Sequence, residues 1–357
     1  MLTRKLYLIG GPTLQAAVAS GVLAAGLGAT AAAILPSGQV ETLQSIAGLP
    51  PHLVGRFGEP AAFQQAPDGQ YFGVDRRGHT VSRIDAAMTQ VTPLVAIGHE
   101  AGRVLRPFGF DLGEGEFAVA DAPGAAERVQ LFTTDGSRVS AFTLAGRSEA
   151  RVQLDGLVLN GVSAMRLTPQ RTVLINQPDT GALVSEYDIR GRALRSVGTL
   201  RPTAHDGDTQ LRLAFNAGLP VPIPGGGLYF VFQTGEPRFR KYDRAGGLVF
   251  ERAIQGKELD PVLQSQPTTW PRRPGVAVPE IPIVRPVVRV ADVDARGHLW
   301  ISFTVPFTYV YDQDGEKVRT VQFRGAGPLA PTSLFFTQDG RMLVTPGCYM
   351  FRPWPVA

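Results

Sequence analysis

Three arginines are candidates for holding a negatively charged ligand. Arg166, Arg212 and Arg289 lie in or beside short apolar segments that have the pattern of β-strands. Guanidinium groups that converge on one point favour a planar anion such as a carboxylate or a phosphate. The same residues could instead form ion pairs between neighbouring elements, and the sequence leaves both interpretations open. A small anionic ligand is therefore one expected partner, and an unidentified protein is the other.

Other polar residues follow apolar runs or lie in a proline-rich segment. Asp75, Asp121 and Asn176 each end a short apolar run, where such residues either meet a ligand or bond the backbone amides of the next turn. Trp270 and Arg272 could stack on a sugar or contact a peptide, or they could pin their own segment to the body of the protein. The sequence contains no nucleophile elbow, zinc-protease motif, phosphate loop or Cys-x-x-Cys pair.

The elements that must position these residues repeat along the chain. Each unit has short apolar strands, a tight turn and a second turn that often contains Asp-Gly, which predicts four strands per unit. The first turns contain Gly69, Gly115, Gln170, Gly226, Gly297 and Gly340. Six four-stranded repeats predict an all-β fold, a six-bladed β-propeller, because radial closure buries both faces of every sheet and protects the sheet edges.

The last repeat is one strand short, which predicts how the ring closes. From Pro331 the chain has room for three strands, at 332–336, 342–345 and 349–352. The strand-like segment 52–57 precedes the first complete repeat, so we expect it to supply the missing strand. The expected domain organisation is a linker at 36–51 and a propeller at 52–357, with the last blade closed by the N-terminal strand.

Insertions between repeats predict where a binding surface lies. The longest is the proline-rich insert 257–286, and a shorter one covers 201–208. In a propeller the connections between blades gather on one face, together with the ends of the second strands. We therefore expect the inserts, Asp75, Asp121 and Asn176 to share that face, and we expect binding to occur there.

Charge and the N-terminal residues bear on partners and location. The 35 Lys and Arg residues against 31 Asp and Glu give a net charge of +4, and no run of like charges marks a surface for nucleic acid. Residues 1–35 begin with Arg4 and Lys5 and continue with a long uncharged stretch, which indicates either a cleaved export signal or a single membrane anchor. The expected location is the periplasm or the cell envelope, with a possible tether to the membrane. The single cysteine, Cys348, is expected to be a buried thiol.

One stretch of the chain resembles an NHL repeat. Such repeats run from an Asp through a short turn to Arg-Val and a strand that ends in Asp-Gly, as residues 121–136 do with Asp121, Arg128-Val129 and Asp135-Gly136. The resemblance implies a propeller but no particular function, because propellers with these motifs do unrelated work.

A second stretch is similar to the first blade of the gluconolactonase-like propellers. Gly58-Glu59-Pro60 leads into Asp68-Gly69, and this similarity implies that Glu59 holds a divalent cation such as calcium. Asn160 and Asn216 lie near the positions of further oxygen ligands. The position of the family's Asp is occupied by Arg289, which cannot ligate a cation.

Two functions follow from these patterns. The first is an exported binding module that acts through its insert-bearing face, without a cofactor. The alternative is a metal-dependent, lactonase-like hydrolase or lyase. The arginine at position 289 favours the binding module.

Overall fold

The computed structural model describes residues 39–146 and 148–354, so the expected signal or anchor at 1–35 lies outside the described residues. Within the described ranges, six sheets built mainly from antiparallel strands form a ring. Each innermost strand contacts the innermost strand of the next sheet, and the last contacts the first. The ring is therefore closed, and the predicted six-bladed β-propeller is confirmed. Among the described helices, none has the length and apolar character needed to cross a membrane.

The first two blades follow a short N-terminal region. That region contains β1 (Val40–Gln44), β2 (Ala47–Gly48) and the helical turn α1 (Pro51–Val54). Blade I contains β3 (Pro60–Gln65), β4 (Tyr71–Asp75), β5 (Thr80–Ile84) and β6 (Val91–Val95). Blade II contains β7 (Gly109–Leu112), β8 (Glu116–Asp121), β9 (Arg128–Thr133) and β10 (Arg138–Thr143).

The next two blades are accompanied by inserted elements. The hairpin of β11 (Val152–Leu154) and β12 (Leu157–Leu159) and the 3-10 turn Gly161–Ala164 precede blade III. Blade III contains β13 (Arg166–Leu167), β14 (Thr172–Asn176), β15 (Ala182–Asp188) and β16 (Ala193–Thr199), with the 3-10 turn Pro178–Thr180 between β14 and β15. After helix α2 (Thr209–Ala214), blade IV contains β17 (Gly218–Pro222), β18 (Leu228–Phe232), β19 (Arg238–Tyr242) and β20 (Leu248–Ala253).

The last two blades follow the proline-rich insert. The insert contains α3 (Asp260–Gln264) and the hairpin of β21 (Arg272–Pro274) and β22 (Glu280–Pro282). Blade V contains β23 (Val288–Val293), β24 (Leu299–Phe303), β25 (Thr308–Tyr311) and β26 (Lys317–Arg324), with the short β27 (Pro328–Leu329) paired to β26. Blade VI contains β28 (Ser333–Phe336), β29 (Met342–Thr345) and β30 (Tyr349–Phe351).

The core lies between adjacent blades, and the strand sequences explain why. The second strands β4, β18 and β24 are buried along their whole length, since neighbouring sheets cover both of their faces and leave no need for polar alternation. Aromatic rings join the sheets across these interfaces. Phe72 of blade I lies 5.7 Å from Phe117 of blade II, and Phe239 of blade IV lies 4.8 Å from Tyr311 of blade V.

The strand that closes blade VI is β2, so the prediction that segment 52–57 closes the ring is wrong in its residues. Ala47 pairs with Met350 and Gly48 pairs with Tyr349. Pro50 and Pro51 have no backbone N–H for a sheet ladder, and Pro51 starts α1 just before the predicted strand, so the helical turn takes up residues 52–54. Closure from the N-terminal side is nevertheless confirmed.

The predicted linker 36–51 also contains strands. Besides β2, it contains β1, which pairs in parallel with β26 at the outer edge of blade V, for example Thr42 with Gln322. Glu41 of β1 forms an ion pair of 2.8 Å with Arg319 of β26. The strands of the propeller therefore begin at Val40, twelve residues before the predicted boundary at 52.

Three connections between blades join into one structure on a single face, which we call the cap. In the described residues it consists of 148–165, 200–217 and 254–287. Val152 of β11 forms a parallel bridge with Val284, supported by a 2.8 Å bond from the Val284 N–H to the Arg151 carbonyl. Arg151 is 4% exposed, donates to both carboxylate oxygens of Asp179 at 2.9 and 2.6 Å, and donates to Gln210 at 2.8 Å. The cap thus rests on blade III and places hairpin β11–β12 beside the channel.

Candidate functional site

A pocket of about 460 Å³ opens at the centre of the ring, on the face that carries the cap. Its lining includes the first residues of four inner strands, which are Pro60 of β3, Gly109 of β7, Arg166 of β13 and Ser333 of β28. Hairpin β11–β12 forms another part of its wall. We call it the channel-mouth pocket, and its volume lies in the range of small-molecule sites.

The walls of the channel-mouth pocket are mainly apolar. The largest of these side chains come from blade II and the residue before it, the cap, blade IV and blade VI, and they are Phe108, Phe110, Leu154, Leu157, Leu159, Met165, Leu219 and Leu334. Polar side chains are fewer, and three of them are the arginines Arg76, Arg166 and Arg289. A ligand held here would bury apolar surface and meet these three arginines, with the carboxylates of Glu59 and Asp155 in the same lining.

Arg289 presents its guanidinium at the boundary between the pocket and the cap. It binds both carboxylate oxygens of Asp155, with Nη1 donating to Oδ2 and with 3.1 Å between Nη2 and Oδ1. The Arg289 side chain is 13% exposed, whereas that of Asp155 is 56% exposed. Asp155 occupies the turn of hairpin β11–β12 with a positive φ of 47°, a conformation that Asp tolerates better than most residues.

Arg166 belongs to a polar network at the inner strands of several blades. Its Nη2 donates to the Ala291 carbonyl of blade V at 3.1 Å, and its Nη1 lies 3.5 Å from Oδ1 of Asp111 in blade II. Asp111 also accepts the Leu167 N–H at 2.7 Å, and Gln64 of blade I accepts the Leu112 N–H at 2.8 Å. Four blades are therefore joined by polar contacts at the channel.

Two carboxyl groups beside Arg166 have altered acidity. Burial raises the pKa of Asp111 although Arg166 and the Leu167 N–H oppose the change. Burial also raises the pKa of Asp292, on β23, to about 6, against the attraction of Arg166. The cause is the loss of hydration of the charged form, which outweighs the nearby positive charge.

Glu59 and Arg76 lie on the blade I side of the pocket. The Arg76 guanidinium donates to the Glu59 carboxylate at 3.0 Å. In the described part of the chain, no group of three or more His, Cys, Asp or Glu side chains is placed to hold a metal ion. Asn160 caps the 3-10 turn that begins at Gly161, and Asn216 accepts the Arg201 N–H at 2.8 Å. The cation at Glu59 stays a prediction.

The side chains of Asp75, Asp121 and Asn176, at the ends of second strands, form hydrogen bonds within the protein itself. Asp75 accepts the N–H groups of Gly58 and Glu59 at 2.9 and 3.0 Å. Burial works to raise its pKa, but these and other backbone N–H groups hold the pKa below its usual value. Asp121 accepts from Arg128 at 2.6 Å, and Asn176 accepts the Gly218 N–H at 3.1 Å. Apart from the bonds of Asp75 to Gly58 and Glu59, none of the three side chains forms a hydrogen bond to a residue that lines the channel-mouth pocket.

Trp270 and Arg272 lie elsewhere on the cap, and Trp270 lines a second depression of about 680 Å³ that we call the outer groove. The Trp270 ring lies 5.0 Å from His205 and 5.4 Å from Phe215, and Arg272 pairs with Asp208. Arg212 lies on α2 rather than on an inner strand. The structure thus brings Glu59, Arg166 and Arg289 to one pocket and leaves Trp270, Arg272 and Arg212 outside it.

The sequence analysis missed Asp155, Asp111, Asp292 and Arg76. Asp155 could have been found, because Val152-Gln153-Leu154-Asp155-Gly156-Leu157-Val158-Leu159 is an Asp-Gly turn between two apolar runs, which predicts a hairpin. Asp111 and Asp292 carry no comparable signal. Each is a single acidic residue in a strand, and only closure of the ring sets both beside Arg166.

No protein-family model and no curated protein sequence matches the chain. Among solved structures, a streptogramin B lyase is 11% identical, covers 83% of this chain and 93% of its own, and has a TM-score of 0.47. A catalytically inactive virginiamycin B lyase from Staphylococcus aureus with quinupristin is 9% identical, covers 83% and 84%, and has a TM-score of 0.49. A luciferin-regenerating enzyme is 10% identical, covers 82% and 84%, and has a TM-score of 0.46. None of these likenesses assigns an activity to this chain.

Proposed function

We propose that this chain is an exported binding protein of the cell envelope that holds a small molecule in the channel-mouth pocket. The observation that carries the proposal is the pocket itself, a concave site of about 460 Å³ with apolar walls and three arginines, on the face that carries the cap. Sites of this kind combine a large apolar contact area with a few charged groups that fix the ligand's orientation.

The internal contacts of Trp270 and Arg272 in the cap favour a small molecule over a protein as the binding partner. Trp270 already packs against His205 and Phe215, and Arg272 is already paired with Asp208. These side chains support the cap's own structure. The channel-mouth pocket and the outer groove both have unfilled room, but only the channel-mouth pocket is lined by Arg166 and Arg289.

The pocket can be tested by filling it. Ala61 lines the pocket from β3, so Ala61→Trp should remove binding by occupying the ligand's space. Ala87→Trp places the same ring on an exposed turn of the same blade and serves as the matched control. We expect native mass spectrometry of the full chain, incubated with a small-molecule extract of the producing cells, to show a bound species with the wild-type and Ala87→Trp chains but not with Ala61→Trp. Equal capture by all three chains would overturn the proposal.

Metal dependence separates the binding protein from the lactonase-like alternative. A binding protein without a metal should melt at the same temperature in EDTA and in excess calcium. An ion at about 100 times its dissociation constant would add about 2.7 kcal/mol of stability, which is a shift of several degrees. A calcium-dependent shift that Glu59→Gln abolishes would support the enzyme instead.

Export is supported by residues 1–35, whose positive start and long uncharged stretch are typical of a signal or an anchor. Fractionation of cells that produce the full chain with a C-terminal tag should place it in the periplasm or with the membrane. The N-terminal sequence of the recovered protein would distinguish cleavage from anchoring. Recovery in the cytosol with an intact N-terminus would contradict export.

A further inference from the structure

The Arg289–Asp155 pair has the form of a bound carboxylate. Both terminal nitrogens of Arg289 engage the two oxygens of Asp155, which is the forked geometry that arginine makes with planar carboxylates. The Nε–H of Arg289 is buried and has no acceptor among the described residues. Asp155 therefore leaves part of the guanidinium unsatisfied, although buried donors are usually paired.

The carboxylate of Asp155 comes from the cap and not from the ring. Hairpin β11–β12 forms a sheet of its own, and its bridge to the rest of the cap is at Val152, away from the turn. Asp155 is half exposed, while Arg289 is fixed on an inner strand. The Asp155 carboxylate keeps much of its contact with water, so it can leave the largely buried Arg289 at modest cost when another carboxylate takes its place.

The surface next to this pair is apolar. Leu154 and Leu157 flank the turn that carries Asp155, and Val290 follows Arg289 in β23; all three line the channel-mouth pocket. Phe110 and Leu219 extend the same lining. A ligand bound here would have its charge at Arg289 and its remaining surface against hydrocarbon.

We infer that the ligand is a carboxylic acid with an apolar body, whose carboxylate takes the place of Asp155 on Arg289 while the body fills the channel-mouth pocket. This inference rests on the proposed function and names its ligand class. Asp155 then acts as an internal competitor that occupies Arg289 while the ligand is absent. A neutral molecule would lack the charge, and inorganic phosphate would lack the apolar body.

The test uses octanoate as the acid, octanamide as its neutral counterpart, and inorganic phosphate. Asp155→Asn removes the competing charge while retaining a residue that tolerates the left-handed backbone. Calorimetric titration of the full chain should show that Asp155→Asn binds octanoate about two- to fivefold more tightly than the wild type, as expected when the competing carboxylate is an exposed one. Arg289→Gln should lose octanoate binding.

Asp208→Asn is the matched control. Asp208 is also a partly exposed carboxylate paired with an arginine of the cap, and Asn at this position can still cap α2. Its affinity for octanoate should equal that of the wild type.

Several results would overturn the inference. Equal affinity for octanoate and octanamide would show that the pocket does not recognise the charge. Tight binding of inorganic phosphate without binding of octanoate would show that the pocket does not recognise the apolar body. Unchanged octanoate affinity in Asp155→Asn would show that Asp155 does not compete. If octanoate binds no chain while Ala61→Trp still blocks capture of another molecule, the ligand class is wrong and the proposed function stands.

Discussion

At the residue scale, the channel is governed by charges that the ring has partly removed from water. Arg166 faces two carboxyl groups, Asp111 and Asp292, and burial raises the pKa of both. A raised pKa of an acid means that folding disfavours its charged form. The inner strands therefore carry an electrostatic cost, and the backbone and Arg166 contacts only partly offset it.

This cost predicts a pH-dependent effect of Asp292→Asn. The folded-state pKa of about 6 lies above the unfolded value near 3.8, so the wild-type free energy of unfolding should fall as the pH rises between those values. Asn cannot ionise, and the variant should be more stable at pH 7 by up to about 3 kcal/mol, from about 1.4 kcal/mol per pKa unit. The advantage should disappear near pH 4.

Urea unfolding at pH 4, 5, 6 and 7 measures this difference. Asp314→Asn, which changes an exposed turn residue of the same blade, should leave the pH profile unaltered. A variant of Asp292 that is less stable than the wild type at pH 7 would show that its charge stabilises the channel.

At the element scale, the cap is held by a few polar anchors. Arg151 joins the segment before β11 to Asp179 in blade III and to Gln210 in α2. Glu149 accepts the N–H groups of Val276 and Ala277, each at 2.7 Å. These anchors fix hairpin β11–β12, and with it Asp155, beside the pocket.

Arg151→Ala should therefore loosen the cap and leave the ring folded. Hydrogen exchange should become at least about tenfold faster at the amides of 152–159 and 283–284. In the wild type, local opening must break the hydrogen bonds of the nearly buried Arg151 guanidinium, and in the variant these bonds are absent. Exchange in β4, β18 and β24 should stay as in the wild type. Arg192→Ala removes an exposed pair with Asp188 and is the control. If exchange changed equally in the cap and in the blades, the cap would not be an independent unit.

The elements show why some features could be predicted from sequence and others could not. The strands of blade VI were predicted to within one residue at each end, because Asp339-Gly340 and the apolar runs around it are local signals. Segment 52–57 has the apolar residues of a strand, but Pro51 begins α1, which takes up residues 52–54. The outer strand β1 was missed because its pairing with β26 depends on residues nearly three hundred positions away.

At the scale of the whole molecule, β1 and β2 join the first and the last strands of the propeller. The Ser45 N–H bonds Arg324 of blade V at 2.9 Å, and the Ile46 N–H bonds Met350 of blade VI at 2.9 Å. The same short segment therefore connects two neighbouring blades. Closure of this kind covers the outer edge of β30 and leaves only the two-residue β2 at the rim of blade VI.

Ile46→Pro tests this closure by removing a single backbone N–H group. Proline removes the N–H that bonds Met350, so we expect the free energy of unfolding of the full chain to fall by about 1–3 kcal/mol. Ile46→Ala keeps the N–H and loses only a side chain that is 49% exposed, so it should change stability little. Equal stability of the two variants would mean that the bond at Ile46 does not support closure.

Closure of the ring also decided which residues could be assigned to the site. Convergence of arginines was predicted, and Arg166 and Arg289 do line one pocket. Arg212 was grouped with them because it lies just before an inner strand, but it belongs to a helix in the cap. Asp155 reaches Arg289 across 134 positions of sequence, and no local pattern specifies such a distance.

The most direct measurement of the central claim is a crystal structure of the full chain grown with octanoate. The account predicts octanoate in the channel-mouth pocket, with its carboxylate on Arg289, its chain between Phe110 and Leu219, and Asp155 displaced from the guanidinium. Octanoate bound in the outer groove beside Trp270, with the Arg289–Asp155 pair intact, would contradict it.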